Sequence, residues 1–192
     1  MLKKVETWLE SIPRWAAALL MILLLAAYWP INQFPLFKPH YLPLIWGEQY
    51  IPFTGWTTYI YLSLFFYGLA AMYALPAERF GRTYLAIGAI EILHLVIFVL
   101  YPTTYPRPAG DTSYPLFEFL KFFDSPTNCF PSLHVAIPIF LALAIWRGGK
   151  KIGILFLFWA ILLALSTLTT KQHYLLDVFG GILTALLGLL LI

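Results

Sequence analysis

Six apolar runs, joined by short polar or proline-rich segments, dominate this chain. They fall at roughly 14–30, 56–75, 83–101, 132–147, 152–170 and 174–192. Each is close to the ~20 residues an α-helix needs to cross a bilayer core. With 61% of its 192 residues hydrophobic and only 11% charged, the chain has too little polar surface to cover such runs in water. The expected fold is all-α: a polytopic membrane protein, a bundle of about six transmembrane helices, forming one membrane-embedded domain over residues 1–192.

The segments outside the runs have their own character. Residues 1–13 interleave Lys3, Lys4, Glu6 and Glu10 with Leu2, Val5, Trp8, Leu9 and Ile12, which suits a short interfacial helix or a frayed polar tail. The run from Trp15 to Tyr28 exceeds a secretory signal core and lacks a small-x-small cleavage site, so a retained first span is expected. Residues 33–55 carry Phe34, Tyr41, Trp46 and Tyr50 but are broken by Pro35, Pro39, Pro43 and Pro52. They are expected to lie along the interface as an aromatic cap. Trp15, Trp29, Trp56 and Trp146 near the run ends fit an aromatic belt.

Charge decides orientation more than partners. The net charge of +3 is small and no basic run is present, so nucleic acid is not an expected partner. Lys3, Lys4, Arg14, Arg79, Arg82, Arg147, Lys150 and Lys151 fall on one side; Lys38, Arg107, Lys121 and Lys171 fall on the other. The positive-inside rule then puts both termini in the cytoplasm of a multi-pass plasma (inner) membrane protein. A single cysteine, Cys129, excludes an intramolecular disulfide.

Two polar stretches open the fourth and sixth runs on the non-cytoplasmic side. One is Asn128-Cys129-Phe130-Pro131-Ser132-Leu133-His134; the other runs from Thr169 to Asp177. His173 and Asp177 are four apart and share a helical face. The carboxylate can fix one imidazole nitrogen and leave the other as nucleophile or base. The alternative is a structural pair that ties helices together. Gly181, Ala185 and Gly188 continue that face and permit close helix approach. Ser132 reads as an N-cap or as a hydroxyl facing an anion, with His134 in the same first turn. Helix N-termini on this side favour negative charge.

Arg107 sits in a stiff loop and offers a fork for phosphate or for any anionic headgroup. Lys171 stands two residues before His173, and Thr167, Thr169 and Thr170 offer hydroxyls for ligand or for backbone. Glu91 and His94, three apart within the third run, are placed to pair with each other.

The order Pro131-Ser132-Leu133-His134, then Ser166-Thr167, His173 and Asp177, resembles the type 2 phosphatidic acid phosphatase superfamily over roughly residues 100–185. The catalytic motifs are expected within 101–185. The resemblance implies a six-helix bundle with a phosphohistidine mechanism; no cofactor or metal is expected, because cations and backbone dipoles supply the charge. His173 would attack phosphorus, Asp177 orient it, and His134 protonate the leaving oxygen. Arg107 and Ser132 would hold the phosphate. The superfamily's lysine is Leu100 here and the arginine of its third motif is Thr167, with Lys171 as a substitute cation. The Cys-Phe-Pro-Ser-Leu-His run is similar to the branch containing inositol phosphorylceramide synthase.

The expected activity is phosphoryl transfer on a phosphorylated lipid, with water or a lipid hydroxyl as acceptor, among surrounding membrane lipids. Two rivals remain. His134, His173 and Asp177 form a two-histidine, one-carboxylate set suited to a metal. Glu91 and His94 would suit a proton-coupled transporter.

Overall fold

The computed structural model describes residues 11–105, 107, 114–149 and 151–192. The expected interfacial helix over residues 1–13 lies, up to residue 10, outside the described residues, as do Pro108 and Lys150. The apolar runs become helices near their predicted limits. They are α1 (Arg14–Gln33), α2 (Thr58–Leu62), α3 (Leu64–Ala74), α4 (Ala77–Leu100), α5 (Pro115–Phe123), α6 (Leu133–Arg147), α7 (Gly153–Thr169) and α8 (Leu175–Gly188). The second run divides at Ser63, whose hydroxyl turns back to the Ile60 carbonyl and accepts the Trp159 indole N–H. The amphipathic α5 was not anticipated: it arises inside the long polar loop, with Pro115 at its first position, where the missing N–H costs nothing.

The chain is mostly helical, as expected for an all-α fold. Among the described residues, α1 and α4, at 20 and 24 residues, are by length and composition the helices long and apolar enough to cross a membrane. Helices α6 and α7 have 15 and 17 residues. Their apolar runs end in turns and caps, so helix length by itself does not give six crossings.

Helix α6 is the centre. Val135, Ala136, Phe140, Leu141, Ala142 and Ile145 along it are buried against α3, α4, α7 and α8. Helix α1 is peripheral: it packs on α4 and buries little beyond Ala17 and Asn32. Helices α6 and α8 meet through small residues. A Cβ at Gly181 would lie 2.5 Å from the Ser132 carbonyl oxygen, so only glycine permits this approach. The Ser132 N–H donates to the Asp177 carbonyl at 3.1 Å, locking the two helix starts together.

The segment over residues 33–55 is stitched to the rest by backbone. Its two-residue strand β1 (His40–Tyr41) pairs in parallel with β2 (Thr103–Thr104), with His40 opposite Thr103. Thr104 also bridges to Thr127 just before α6. Asn32, at the end of α1, accepts the Ser125 N–H and donates to the Thr127 carbonyl. The loops before α5 and α6 and the aromatic segment therefore form one cap over the starts of α6 and α8.

Candidate active site

Local backbone geometry places each histidine. Helix α7 ends in a Schellman turn: the Gln172 N–H reaches the Thr167 carbonyl and the Lys171 N–H reaches the Leu168 carbonyl, at 3.0 and 3.2 Å. Lys171 occupies the left-handed position of this turn, φ 55°, where glycine is usual. The His173 N–H also bonds the Thr167 carbonyl at 3.1 Å, so the turn fixes the backbone that carries His173. Helix α8 follows at once, and Asp177 in its first turn accepts the Tyr174 N–H through Oδ2 at 2.9 Å.

The two imidazoles meet. His134 Nδ1 lies 3.0 Å from His173 Nε2. On the far side, His173 Nδ1 lies 3.4 Å from Asp177 Oδ2, an ion-pair distance that is long for a hydrogen bond. His134 Nε2 is 2.7 Å from the Tyr61 hydroxyl. Tyr61, His134, His173 and Asp177 thus form one row drawn from α2, α6, the α7–α8 turn and α8.

Around this row stand buried polar atoms without partners among the described residues. Ser132 Oγ is one: it sits at the N-cap of α6 and is fully buried, yet makes no capping bond. The N–H groups of Leu133 and His134 likewise find no acceptor among the described residues. Asp177 Oδ1 and the Tyr105 hydroxyl are also buried and unpartnered. Burial, then the Asp177 charge, raises the Tyr105 pKa.

The start of α8 corrects a sequence expectation. Both helix starts were expected to serve an anion, but the Leu175 N–H is taken by the carboxylate of Glu48, and the Tyr174 N–H by Asp177. A helix start capped by two carboxylates has no net attraction left for a third anion. Only the start of α6 is bare.

The cations line a cleft of about 370 Å³ bounded by Leu44, Glu48, Gln49, Ile51, Arg107, Lys171 and Tyr174. Arg107 donates through Nη1 to the Asp124 carbonyl at 2.7 Å, with Nη2 3.7 Å from its carboxylate, while its buried Nε finds no partner among the described residues. Lys171 Nζ donates to the Ile51 carbonyl at 2.7 Å. Burial lowers the Lys171 pKa and Glu48 opposes that; burial raises the Glu48 pKa against the Leu175 N–H and Lys171. Burial also raises Asp124, against Arg107. A second hollow, of about 140 Å³, reaches His134 past Tyr28, Tyr61, Leu62, Leu64, Phe65, Leu120 and Asp124.

Thr167 stands apart from the other expected phosphate contacts. Its hydroxyl donates to the Ala164 carbonyl at 2.7 Å, which engages its one proton; its use to the site is the carbonyl that holds His173. Glu91 and His94 do not pair. His94 Nδ1 contacts the Ile90 carbonyl of its own helix at 2.8 Å, and both side chains are buried. His134 and His173 face each other along a hydrogen bond, and among the described residues no group of three His, Cys, Asp or Glu is placed to hold a metal ion. Cys129 is buried, and burial pushes its thiol up to about 12, far from a reactive thiolate.

Sequence reasoning missed Tyr61, Glu48, Asp124 and Tyr105. Tyr61 is one aromatic in an apolar run; the carboxylates of Glu48 and Asp124 carry no motif and become informative only through what they touch.

No curated protein and no solved structure matches the chain. A family model does: the one described as the PAP2 superfamily matches residues 42–191, which takes in every residue of the row and the cleft, and the cap apart from α1 and residues 34–41. With well over half the chain covered by that match, and with paired histidines, a carboxylate and a buried serine meeting in one place, this protein belongs to the PAP2 superfamily.

Proposed function

We propose that this protein is a membrane-embedded lipid-phosphate phosphoryl-transfer enzyme that works through a phosphohistidine. Family membership supports phosphatase or phosphoryl-transfer chemistry on a phosphate-bearing substrate. The observation that carries the finer reading is the 3.0 Å approach of His134 and His173 beside an unpartnered Ser132 hydroxyl and the bare start of α6. Those donors suit the equatorial oxygens of a phosphoryl group, where charge is spread in the transition state.

His173 Nε2 attacks phosphorus in line with the leaving oxygen, and Asp177 holds the proton on Nδ1 and balances the charge that develops on the ring. His134 protonates the leaving oxygen and then takes a proton from the acceptor that cleaves the phosphohistidine. Ser132 and the Leu133 and His134 N–H groups hold the phosphate. Arg107 and Lys171 approach from the polar cleft and supply positive charge.

A lipid substrate and several membrane crossings are supported by the outward faces of the helices. Leu19, Ile22 and Leu23 of α1, Phe65, Phe66 and Leu69 of α3, and Leu155, Phe158 and Leu165 of α7 are exposed. Apolar surface on that scale is covered by partners or by lipid. We place both termini in the cytoplasm, with the site at the outer boundary of a multi-pass plasma-membrane protein. Water is the acceptor in this reading, which makes the enzyme a lipid phosphatase. The open cleft beside Arg107 and Lys171 has room for a larger hydroxyl, so headgroup transfer between lipids, as in inositol phosphorylceramide synthase, is the second reading.

The test uses purified protein in detergent with a phosphate-labelled lipid monophosphate, tracking free phosphate and lipid products together. The expected result is phosphate release that survives a chelator and an acid-labile phosphoenzyme on rapid quench; His173→Ala loses both, by about 10⁴-fold or more in turnover. Appearance of a labelled phosphodiester lipid with little free phosphate favours transfer. Turnover retained in His173→Ala overturns the nucleophile assignment. Movement of lipid across liposomes with no ester cleavage makes the protein a transporter.

A further inference from the structure

We infer that Tyr61 is a positioning residue for the acid function of His134, an inference that rests on the phosphoryl-transfer reading above. Tyr61 comes from α2, outside the stretches that carry the histidines and the carboxylate. It is 5% exposed, so its hydroxyl must be satisfied inside the protein, and its contact is His134 Nε2 at 2.7 Å. The phenol and imidazole rings lie 4.8 Å apart at 37°, which leaves the His134 ring little freedom to turn.

Proton bookkeeping along the row fixes what the contact does. Asp177 as a carboxylate only accepts, so the proton of a neutral His173 belongs on Nδ1, facing it, and Nε2 carries the lone pair. His134 Nδ1, 3.0 Å from that lone pair, must then be a donor. A neutral imidazole has one N–H, so His134 Nε2 is an acceptor, and Tyr61 is the group that donates to it. The opposite tautomer would set two lone pairs against each other across 3.0 Å and waste the phenol proton.

The phenol therefore selects the tautomer that aims Nδ1–H at the nucleophile. That proton faces His173 Nε2 across the 3.0 Å contact. With phosphorus on Nε2, the same N–H faces the phosphoryl oxygens; the acid that protonates the leaving oxygen is the imidazolium, which keeps its Nε2–H when it gives up the Nδ1 proton. When His134 is fully protonated, the phenol oxygen accepts from Nε2–H and holds the ring as before. Tyr61 does not touch substrate; it makes His134 an acid that points the right way.

An acid matters only for a leaving group that needs a proton, and this separates positioning from scaffolding. Tyr61→Phe keeps the ring and deletes the hydroxyl. With an alkyl lipid monophosphate, kcat should fall about tenfold to a hundredfold, within the range of general-acid effects, at nearly constant KM. With nitrophenyl phosphate, whose phenolate leaves unprotonated, the variant should stay within about twofold of wild type, which also reports an intact fold. His134→Ala should keep the nitrophenolate burst of the first step but lose steady-state turnover of both esters, because the base for the second step goes with it, and adding Tyr61→Phe should change nothing further. Equal losses on both substrates, an additive loss in the double variant, or unimpaired alkyl turnover each overturn the role of Tyr61. A wild-type protein that cleaves neither ester overturns the phosphoryl-transfer reading, and this inference with it.

Discussion

The two helices that bring the histidines together begin in opposite ways. At α6 the Ser132 hydroxyl is buried without a partner, and the Leu133 and His134 N–H groups meet no acceptor among the described residues. At α8 the Tyr174 and Leu175 N–H groups are already bonded to Asp177 and Glu48. A helix start is attractive to an anion only while its N–H groups are free. In the proposed reading the bare start is the binding element and the capped start is the mount. The mount holds His173 still, and Asp177 serves it twice, as cap and as orienting carboxylate. The cap over both comes from the aromatic segment, which reaches α8 through Glu48 and the end of α7 through the bond between the Thr54 N–H and the Thr169 carbonyl.

The largest effect should come from the mount's double-duty residue. Asp177→Asn keeps an oxygen for the Tyr174 N–H but removes the charge facing His173. Turnover is expected to drop by about 10³ to 10⁴, as when the orienting carboxylate of a catalytic histidine is neutralised, with a near-constant thermal midpoint. Comparable losses in activity and stability would instead make Asp177 chiefly a cap.

Next comes the bare start. Ser132→Ala should weaken competitive inhibition by inorganic phosphate by about tenfold, the worth of one hydrogen bond to a charged ligand. Stability should hold or rise, since the change deletes an unsatisfied hydroxyl. An ordinary N-cap would do the reverse and cost ~1 kcal/mol. Thermal unfolding and phosphate inhibition on the same preparation decide between them.

Smaller still is the cap on α8. Glu48→Ala should cost ~1 kcal/mol, whereas Glu48→Gln, which keeps an acceptor for Leu175, should cost a fraction of that. If both variants unfold alike, the Glu48 charge beside Lys171 matters more than the cap. The smallest effect concerns Asp124. Its pKa is raised in the folded protein by burial, so its contribution to stability is complete below the ordinary carboxylate range and is lost as pH rises through the raised value. Unfolding midpoints over about pH 3 to 7 should show that decline in wild type, and Asp124→Asn should flatten it.

Much of this arrangement is legible in the order of residues. The apolar runs mark the helices because backbone polar groups and apolar side chains leave few other solutions. The His173–Asp177 spacing sets both on one face of the chain as it enters α8, and Gly181 marks where another helix comes close. Spacing is less informative about where a hydroxyl points. Thr167 looks like a ligand in sequence and instead bonds its own helix, and Glu91 and His94 look like a pair and do not meet. Thr167 and His94 each take a carbonyl one turn back in their own helix, an option that spacing leaves as open as the pairing.

The apolar helices, the motif order and the family are readable from the order of residues, because they follow from local periodicity and from residues a few positions apart; the amphipathic α5 and the break at Ser63 are not. That Tyr61 of α2 addresses His134 and that Glu48 caps α8 follow from the closed bundle alone. The same closure leaves one helix start bare while the other is filled. Those contacts join residues 73 and 127 positions apart, and no local pattern encodes a bond whose two ends meet only when the bundle closes.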